Sequence, residues 1–253
     1  MIDHAEIRAR ARRLGLDASY VENDYALCHL LVAICEGLPE LVFRGGTALA
    51  RIYWPDFRLS EDLDFTSQGP ISDLEVRLQN AIRVARERTT LSLELAYGPP
   101  RESWSRSTVR WAAHELLLDV NMDVTVAMGK TEGKVDLPYK DLQEIEVITP
   151  VFTLTEMLGN KWYMLNDRAE PRDLFDVWSG LTEFDVAFEE IERGHRARYG
   201  YAPSPGSIYN AKRLEAPWES RLAHQLADLP PFNQVYRDVK RHFDEWQDRR
   251  NAG

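Results

Sequence analysis

A chain of 253 residues, 44% of them hydrophobic, can bury one large core or two smaller ones, and we expect two domains, 1–150 and 151–253. No stretch approaches the ~20 apolar residues that span a bilayer, and residues 1–15 lack an apolar signal core, so we expect a soluble, cytoplasmic protein with no membrane partner. The formal net charge of −10 argues against non-specific nucleic-acid binding, because only local basic patches could hold a polyanion.

The only two cysteines, Cys28 and Cys35, lie in the segment 20–37, where apolar residues recur at helical spacing. A helix would place them roughly 10 Å apart along its axis, too far for a disulfide. Their spacing also differs from that of zinc ligands. We therefore interpret them as small buried side chains in a reducing compartment.

A glycine pair follows the next predicted element, a short buried strand at 41–43. Gly45 and Gly46 break this strand, and a helix is predicted to start at Thr47. Glycines let backbone amides approach an anion, and a helix N-terminus adds partial positive charge, so this turn is a candidate phosphate cradle. The Thr47 hydroxyl could add a donor. For these three residues alone, an ordinary strand-to-helix turn with a threonine cap is the alternative.

Two aspartates, Asp62 and Asp64, alternate with apolar residues, which is typical of a strand with one acidic face. Carboxylate oxygens directed to one space are ligands that Mg²⁺ prefers. A further predicted strand, 114–126, has its own acidic face, from which either Asp119 or Asp123 could supply the third ligand, with Asp119 preferred. These carboxylates predict a two-metal site for in-line displacement at phosphorus.

The other predicted elements define the fold class as α+β, a mixed sheet with flanking helices followed by a helical bundle. In the first domain we expect a helix at 71–88, strands at 91–97 and 107–113, and a loop with a short strand at 136–150. In the second domain we expect helices at 152–168 and 171–181, within 182–199, and at 231–250.

Cationic side chains outside the glycine turn are candidates for binding phosphate or RNA. Arg58, four residues before Asp62, could contact phosphate or hold the carboxylates, and a solvated surface arginine is equally compatible with the spacing. Basic and aromatic residues cluster at 192–201 and again at Lys212 and Arg213. They could bind an RNA backbone, although a solvated helix end is the simpler interpretation of each member.

The predicted helices of the second domain carry a further set of charged candidates. Lys161 lies among apolar residues, so its ammonium either extends past an apolar patch or meets a phosphate, and Arg168 shares its face. Asp173 and Asp176 lie one turn apart on the next helix. They could orient Lys161 or Arg172, or act as a general base, or simply stabilise the helix through its dipole.

Two sequence blocks resemble the AbiEii/AbiGii-type nucleotidyltransferase toxins of type IV toxin–antitoxin systems. In that family, a Gly-Gly-Ser/Thr turn precedes an R-x-S-x-D-x-D block, matched here by Gly45, Gly46, Thr47, Arg58, Ser60, Asp62 and Asp64. In the second block, a helix lysine is followed by an arginine and R-D-x-x-D, matched here by Lys161, Arg168, Arg172, Asp173 and Asp176. The resemblance covers residues 20–180.

The resemblance implies a polymerase-β-like nucleotidyltransferase core with a helical second domain, bound Mg²⁺ and an NTP donor. It implies nucleotide binding by Gly45, Gly46, Thr47, Arg58, Ser60, Lys161 and Arg168. It implies catalytic roles for Asp62, Asp64, Lys161, Asp173 and Asp176, with Asp119 as the additional metal ligand.

The same resemblance also concerns the acceptor and the protein partner. Relatives add nucleotides to the 3′ end of tRNA, which stops aminoacylation, and each toxin is controlled by a cognate antitoxin, for which Ser60 is a candidate modification site. Two alternatives stay open. The first is a small-molecule nucleotidyltransferase that modifies antibiotics, and the second is a catalytically silent partner-binding member of the same fold.

Overall fold

The computed structural model describes residues 3–55, 57–89, 91–122, 129–205, 208 and 211–252. Asp123, the alternative third metal ligand, lies outside the described residues. The chain divides into two compact units, Met1–Val126 with Lys130–Phe152, and Ala127–Gly129 with Thr153–Gly253. The assignment of 1–150 and 151–253 as separate domains stays a prediction.

The first unit is built on one mixed sheet, in which seven strands are found among the described residues. The strands are β1 (Val42–Arg44), β2 (Asp62–Thr66), β3 (Glu94–Ala96), β4 (Trp104–Trp111), β5 (His114–Asn121), β6 (Lys130–Lys134) and β7 (Ile148–Phe152). Their order is β3-β4-β5-β2-β1-β7-β6. The pairs β1–β7 and β2–β5 are parallel and the others are antiparallel.

One face of this sheet is apolar and buried, because side chains alternate along each strand. Leu63 and Phe65 of β2 and Leu118 and Val120 of β5 are at most 1% exposed. Helix α2 (Ala18–Gly37) contacts both strands. The alternate residues, which include both predicted aspartates of β2, therefore lie on the opposite face.

The remaining helices of the first unit are α1 (His4–Leu14), α3 (Gly45–Ala48) and α4 (Leu74–Thr89). A π-helix, Leu49–Tyr53, continues α3. The sequence predicted a helix start at Thr47, but the helical turn begins at Gly45, directly after β1. Gly45 has φ of +81°, and this left-handed conformation lets the chain turn out of the strand without a connecting loop.

Strand boundaries are where the sequence predictions failed most clearly. Strand β4 starts at Trp104 and not at Ser107, because Trp104 pairs with Asn121 of β5. Strand β3 is shorter than the predicted 91–97, and β6 was not predicted because its sequence, 130–134, is polar without apolar alternation. Its backbone pairs with β7.

The second unit is helical, as predicted. Its helices are α5 (Leu154–Arg168), α6 (Pro171–Thr182), α7 (Phe188–Tyr199), α8 (Ala211–Glu215), α9 (Trp218–Leu222) and α10 (Phe232–Ala252). An aromatic core joins three of them: Trp162 of α5 stacks on Phe243 of α10 at 5.2 Å between ring centroids, and Phe188 of α7 meets Trp162 edge-on at 4.9 Å.

Both cysteines lie in α2, buried and unbridged, which confirms that part of the prediction. Among the described residues, no helix combines the length and the apolarity needed to cross a bilayer.

Candidate active site

A row of four charged residues crosses the polar face of the sheet. Asp64 of β2 is in register with Arg44 of β1 on one side and with Asp119 of β5 on the other. Asp119 is in turn opposite Arg106 of β4. Neighbouring strands lie about 4.8 Å apart, so the two central carboxylates start from adjacent backbone positions.

Asp62 lies one step along the same face, two residues before Asp64 on β2. Both side chains are partly exposed, whereas Leu63 between them is completely buried. The predicted DxD pair therefore lies on a strand with one acidic face, and the neighbouring strand places Asp119 beside it.

The glycine turn lies directly against this acidic row. A side chain added at Gly45 would coincide with the Asp64 carboxylate, and its Cβ would lie 3.0 Å from the Cβ of Asp64. Only a residue without a side chain fits here. Main-chain atoms of the turn are thereby placed beside the carboxylate that is expected to bind metal.

Arg58 packs on the second glycine of the turn. Its guanidinium occupies the space that a Cβ of Gly46 would need, and it donates a hydrogen bond of 3.1 Å to the carbonyl of Leu59. Arg58 is only 5% exposed. The solvated surface arginine is therefore ruled out, and contact of Arg58 with phosphate stays a prediction.

Thr47 and Ser60 tie the turn to the start of β2. Their hydroxyls are hydrogen-bonded at 2.7 Å, and Thr47 also donates to the backbone carbonyl of Asp62. Both side chains are buried. They hold the turn and the aspartate strand together, and their contact with nucleotide stays a prediction.

Asp119 makes a forked ion pair with Arg106. The Nε and Nη2 atoms of Arg106 donate to the two carboxylate oxygens at 2.8 and 2.7 Å. Hydrogen bonding to Asp119 raises the pKa of Arg106, burial opposes this, and the charges of Asp119, Asp62 and Asp64 add to it. The guanidinium is thus close to all three aspartates and offsets part of their repulsion.

The residues of this row fit Mg²⁺ in their chemistry. They offer carboxylate oxygens from two adjacent strands, and the Asp64 carboxylate packs directly against Gly45 of the turn. Within the described residues, no three His, Cys, Asp or Glu side chains converge on one point, since Asp119 is turned to Arg106. Asp62 and Asp64 are accordingly the pair that would hold a metal, with Asp119 next to them.

The second unit contains a separate buried charge cluster. The ammonium of Lys161 lies 2.9 Å from Asp173 and 2.6 Å from Asp176, and both carboxylates are fully buried. Arg168 adds a fork to Asp173 at 2.9 and 3.1 Å. Arg172 instead approaches Glu170 at 3.6 Å. This geometry favours the interpretation in which the aspartates orient Lys161, and the catalytic roles of these residues stay predictions.

The basic and aromatic cluster at 192–201 is partly structural. Arg198 pairs with the buried Glu156 at 3.0 Å, and Tyr199 stacks on Tyr163 at 4.0 Å between centroids. The buried His195 is hydrogen-bonded through Nδ1 to the Tyr201 carbonyl at 2.9 Å. These contacts fix α7 on α5.

Sequence reasoning missed Arg44, Arg106 and Trp104 as members of the polar face. Arg44 approaches Asp64 at 3.8 Å. The predicted strand began at Ser107, so Arg106 and Trp104 lay outside it. The sequence therefore could not assign the face of the sheet on which their side chains lie. The alternation of serine with larger residues at 103–107 was the available signal.

Comparisons with known proteins concern the fold and the family of this chain. A structure from H. pylori assigned as a nucleotidyltransferase is 18% identical, with a TM-score of 0.58, and the match covers 90% of this chain and 94% of that one. The nucleotidyltransferase toxin MenT4 from Mycobacterium tuberculosis is also 18% identical, with a TM-score of 0.48 and 98% of each chain covered. None of the curated proteins matches the sequence.

The predicted nucleotidyltransferase fold, a mixed sheet with flanking helices, is confirmed by the H. pylori structure. The model of the family described as "Nucleotidyl transferase AbiEii toxin, Type IV TA system" matches residues 29–249, which is most of the chain. Such a family implies an NTP substrate and a cognate antitoxin. The chain belongs to the AbiEii nucleotidyltransferase toxin family.

Proposed function

We propose that this nucleotidyltransferase uses Mg²⁺ to transfer a nucleoside monophosphate from an NTP to the 3′ end of tRNA, and that this transfer inhibits translation. The observation that carries the proposal is the contact between the glycine turn and Asp64, in register with Asp119. Nucleotidyl transfer requires the triphosphate and the divalent metal to bind next to each other, and here the glycine turn lies next to the aspartates.

The first role of the chain is to bind the triphosphate. Backbone amides at Gly45 and Gly46 would receive the β- and γ-phosphates, next to the Asp64 carboxylate and the Arg58 guanidinium that pack on these glycines. Arg58, packed on Gly46, adds positive charge to this part of the turn. Asp62 and Asp64 would hold Mg²⁺, which when bound neutralises phosphate charge and stabilises the leaving pyrophosphate.

The second role is to direct the displacement. The acceptor hydroxyl forms a bond to the α-phosphorus, the bond from that phosphorus to the pyrophosphate oxygen breaks, and pyrophosphate leaves on the side of the glycine turn. The hydroxyl proton passes to the Asp119 carboxylate, which Arg106 holds in a fixed orientation.

The test is transfer from labelled NTPs to total tRNA, with an antibiotic panel as a second set of acceptors. Asp62→Asn and Asp64→Asn should each lower incorporation at least about a hundredfold, because the metal loses a charged ligand. Asp228→Asn, which changes an exposed aspartate of the second unit, is the matched control and should retain full activity.

The outcome also decides the acceptor. Label on tRNA, together with arrest of cell-free translation by the wild-type protein and not by Asp64→Asn, supports the proposal. Label on an antibiotic alone contradicts the tRNA acceptor, and full activity of Asp62→Asn or Asp64→Asn contradicts the assignment of these aspartates.

A further inference from the structure

Trp104 is an exposed aromatic residue on the same sheet face as the aspartates. It is the first residue of β4, lies opposite Asn121 of β5, and is 40% exposed. Arg106, two residues further along β4, places its guanidinium carbon 4.5 Å from the centre of the Trp104 ring. Because Asp119 fixes that guanidinium by two hydrogen bonds, the indole is supported on one side.

The pair lies on the side of the acidic row that faces away from the glycine turn. The turn follows β1, and the strand order from β1 is β2, β5, β4. Trp104 is thus two strands, about 10 Å, from β2, on the opposite side from Gly45. If pyrophosphate leaves over the turn, as proposed above, an in-line attack requires the acceptor to approach over β5 and β4.

We propose that Trp104, supported by Arg106, binds the terminal base of a single-stranded RNA acceptor by stacking. This proposal rests on the proposed function and adds the part of the acceptor that is recognised. An indole with an accessible face stacks on any base, since every base has a π face. Such a platform recognises the shape of a base and not its hydrogen-bonding edge.

Exposed arginines near Trp104 are partly neutralised by acidic side chains. The stretch 101–110 contains exposed Arg101, Arg106 and Arg110, of which Arg106 pairs with Asp119 at 2.7 Å and Arg110 with Glu115 at 3.1 Å. A polycationic antibiotic has no base to stack on Trp104, so the exposed ring favours the nucleic acid among the proposed acceptors.

The experiment measures binding of a short single-stranded oligoribonucleotide, labelled with fluorescein at its 5′ end, by anisotropy without NTP or metal. A second probe lacks only the base of the 3′-terminal nucleotide. Wild type should bind the complete probe roughly tenfold more tightly than the abasic probe, and Trp104→Ala should lose this preference. Trp104→Phe should keep most of it. NTP binding, measured by calorimetry, should be the same for wild type and Trp104→Ala.

Tyr20→Ala is the matched control, because Tyr20 of α2 is an aromatic of almost equal exposure, 39%. It should bind both probes as wild type does. Equal binding of the two probes by the wild-type protein overturns the proposal, as does an unchanged preference in Trp104→Ala. A loss of NTP affinity in Trp104→Ala would assign the ring to the donor base and also overturn it.

Arg106 is proposed as a positioning residue that acts through the ring. Arg106→Gln should weaken the preference for the complete probe, and the double variant with Trp104→Ala should lose no more than Trp104→Ala alone. Additive losses would contradict action through Trp104. The anisotropy assay contains no NTP, so its result does not depend on whether the protein transfers nucleotides. The transfer assay tests the proposed function separately.

Discussion

The α-carbon of Gly45 lies against the carboxylate of Asp64, and this contact fixes the distance between the nucleotide turn and the acidic strand. Any side chain at position 45 would overlap Asp64. The same glycine has φ of +81°, so both space and backbone conformation demand glycine. The hydroxyl pair of Thr47 and Ser60 ties the other end of the turn to β2.

Gly45→Ala should therefore abolish activity by displacing Asp64 as well as straining the backbone. Incorporation of labelled nucleotide should fall at least about a hundredfold, which is typical for loss of one charge-stabilising group. The strained conformation should cost about 1–3 kcal/mol of unfolding free energy, measured by urea denaturation.

Gly200→Ala separates these two effects. Gly200 ends α7 with φ of +80°, and an added Cβ would meet no atom within 4 Å. Alanine at position 200 would therefore be strained as much as alanine at position 45, but it would not overlap a carboxylate. Gly200→Ala should lose similar stability and keep its activity; an equal loss of activity in both variants would attribute the Gly45→Ala defect to instability.

A pH-dependent contribution to stability is expected from Asp173. Burial raises the pKa of Asp173, but the charges and hydrogen bonds of Lys161 and Arg168 outweigh burial and hold the pKa below its usual value of 3.8. A carboxylate whose pKa is lower in the folded than in the unfolded state stabilises the fold. For Asp173 this stabilisation is complete above about pH 4 and is lost as the pH falls through the pKa of the folded state.

Asp173→Asn should lower the unfolding free energy at pH 7 by about 3 kcal/mol, the low end for a broken buried pair, because Lys161 keeps Asp176. Urea denaturation between pH 7 and pH 3 should show the gap to wild type narrowing below about pH 4. Glu87→Gln, which breaks an exposed pair with Arg83, should stay within about 0.5 kcal/mol of wild type at pH 7. A constant gap for Asp173→Asn would contradict the assigned ionisation.

The cysteines should be inert in the folded protein. Burial raises the pKa of Cys28 to about 12 and that of Cys35 to about 11, so neither thiol is ionised near neutral pH. Titration with a chromogenic disulfide reagent should detect no reactive thiol in the native protein and both thiols in denaturant. Reaction of either thiol before unfolding would show that α2 opens locally.

The parts of the site that local sequence determines were predictable. Alternation around Asp62 and Asp64 identified β2 and its acidic face, and the glycine pair marked a turn next to a strand. The placement of Asp119 was correct for the same reason, since its neighbours Leu118 and Val120 alternate with it.

Residues defined by strand pairing could not be found in this way. Arg106 belongs to the row only because it is opposite Asp119, and Trp104 belongs to β4 only because it pairs with Asn121. The alternation at 103–107 could have indicated a strand, but it does not determine which residue of β5 lies opposite each of its side chains. The sequence likewise left open whether Asp173 and Asp176 orient Lys161 or Arg172, and only packing selects Lys161.

Helices α5 and α7 of the second unit are in backbone contact at two glycines that the sequence analysis did not identify. A Cβ on Gly159 of α5 would overlap the backbone at Gly194 and His195 of α7, and a Cβ on Gly194 would overlap the backbone of Thr155. Backbone atoms cannot move aside as a flexible side chain can. Gly159→Ala and Gly194→Ala should each lower the unfolding free energy by about 1–3 kcal/mol, the usual cost of overpacking, in urea denaturation.

Gly37→Ala is the control that separates overlap from the general effect of replacing a helical glycine. Gly37 is the last residue of α2, and its Cβ would make an ordinary contact of 3.9 Å with Ala81. Alanine also reduces the freedom of the unfolded chain, so Gly37→Ala should be neutral or stabilising by up to about 1 kcal/mol. Because α5 carries Lys161, the overlap in Gly159→Ala should also displace the ion pairs of that lysine. If Gly159→Ala were as stable as Gly37→Ala, the two helices would not be in backbone contact.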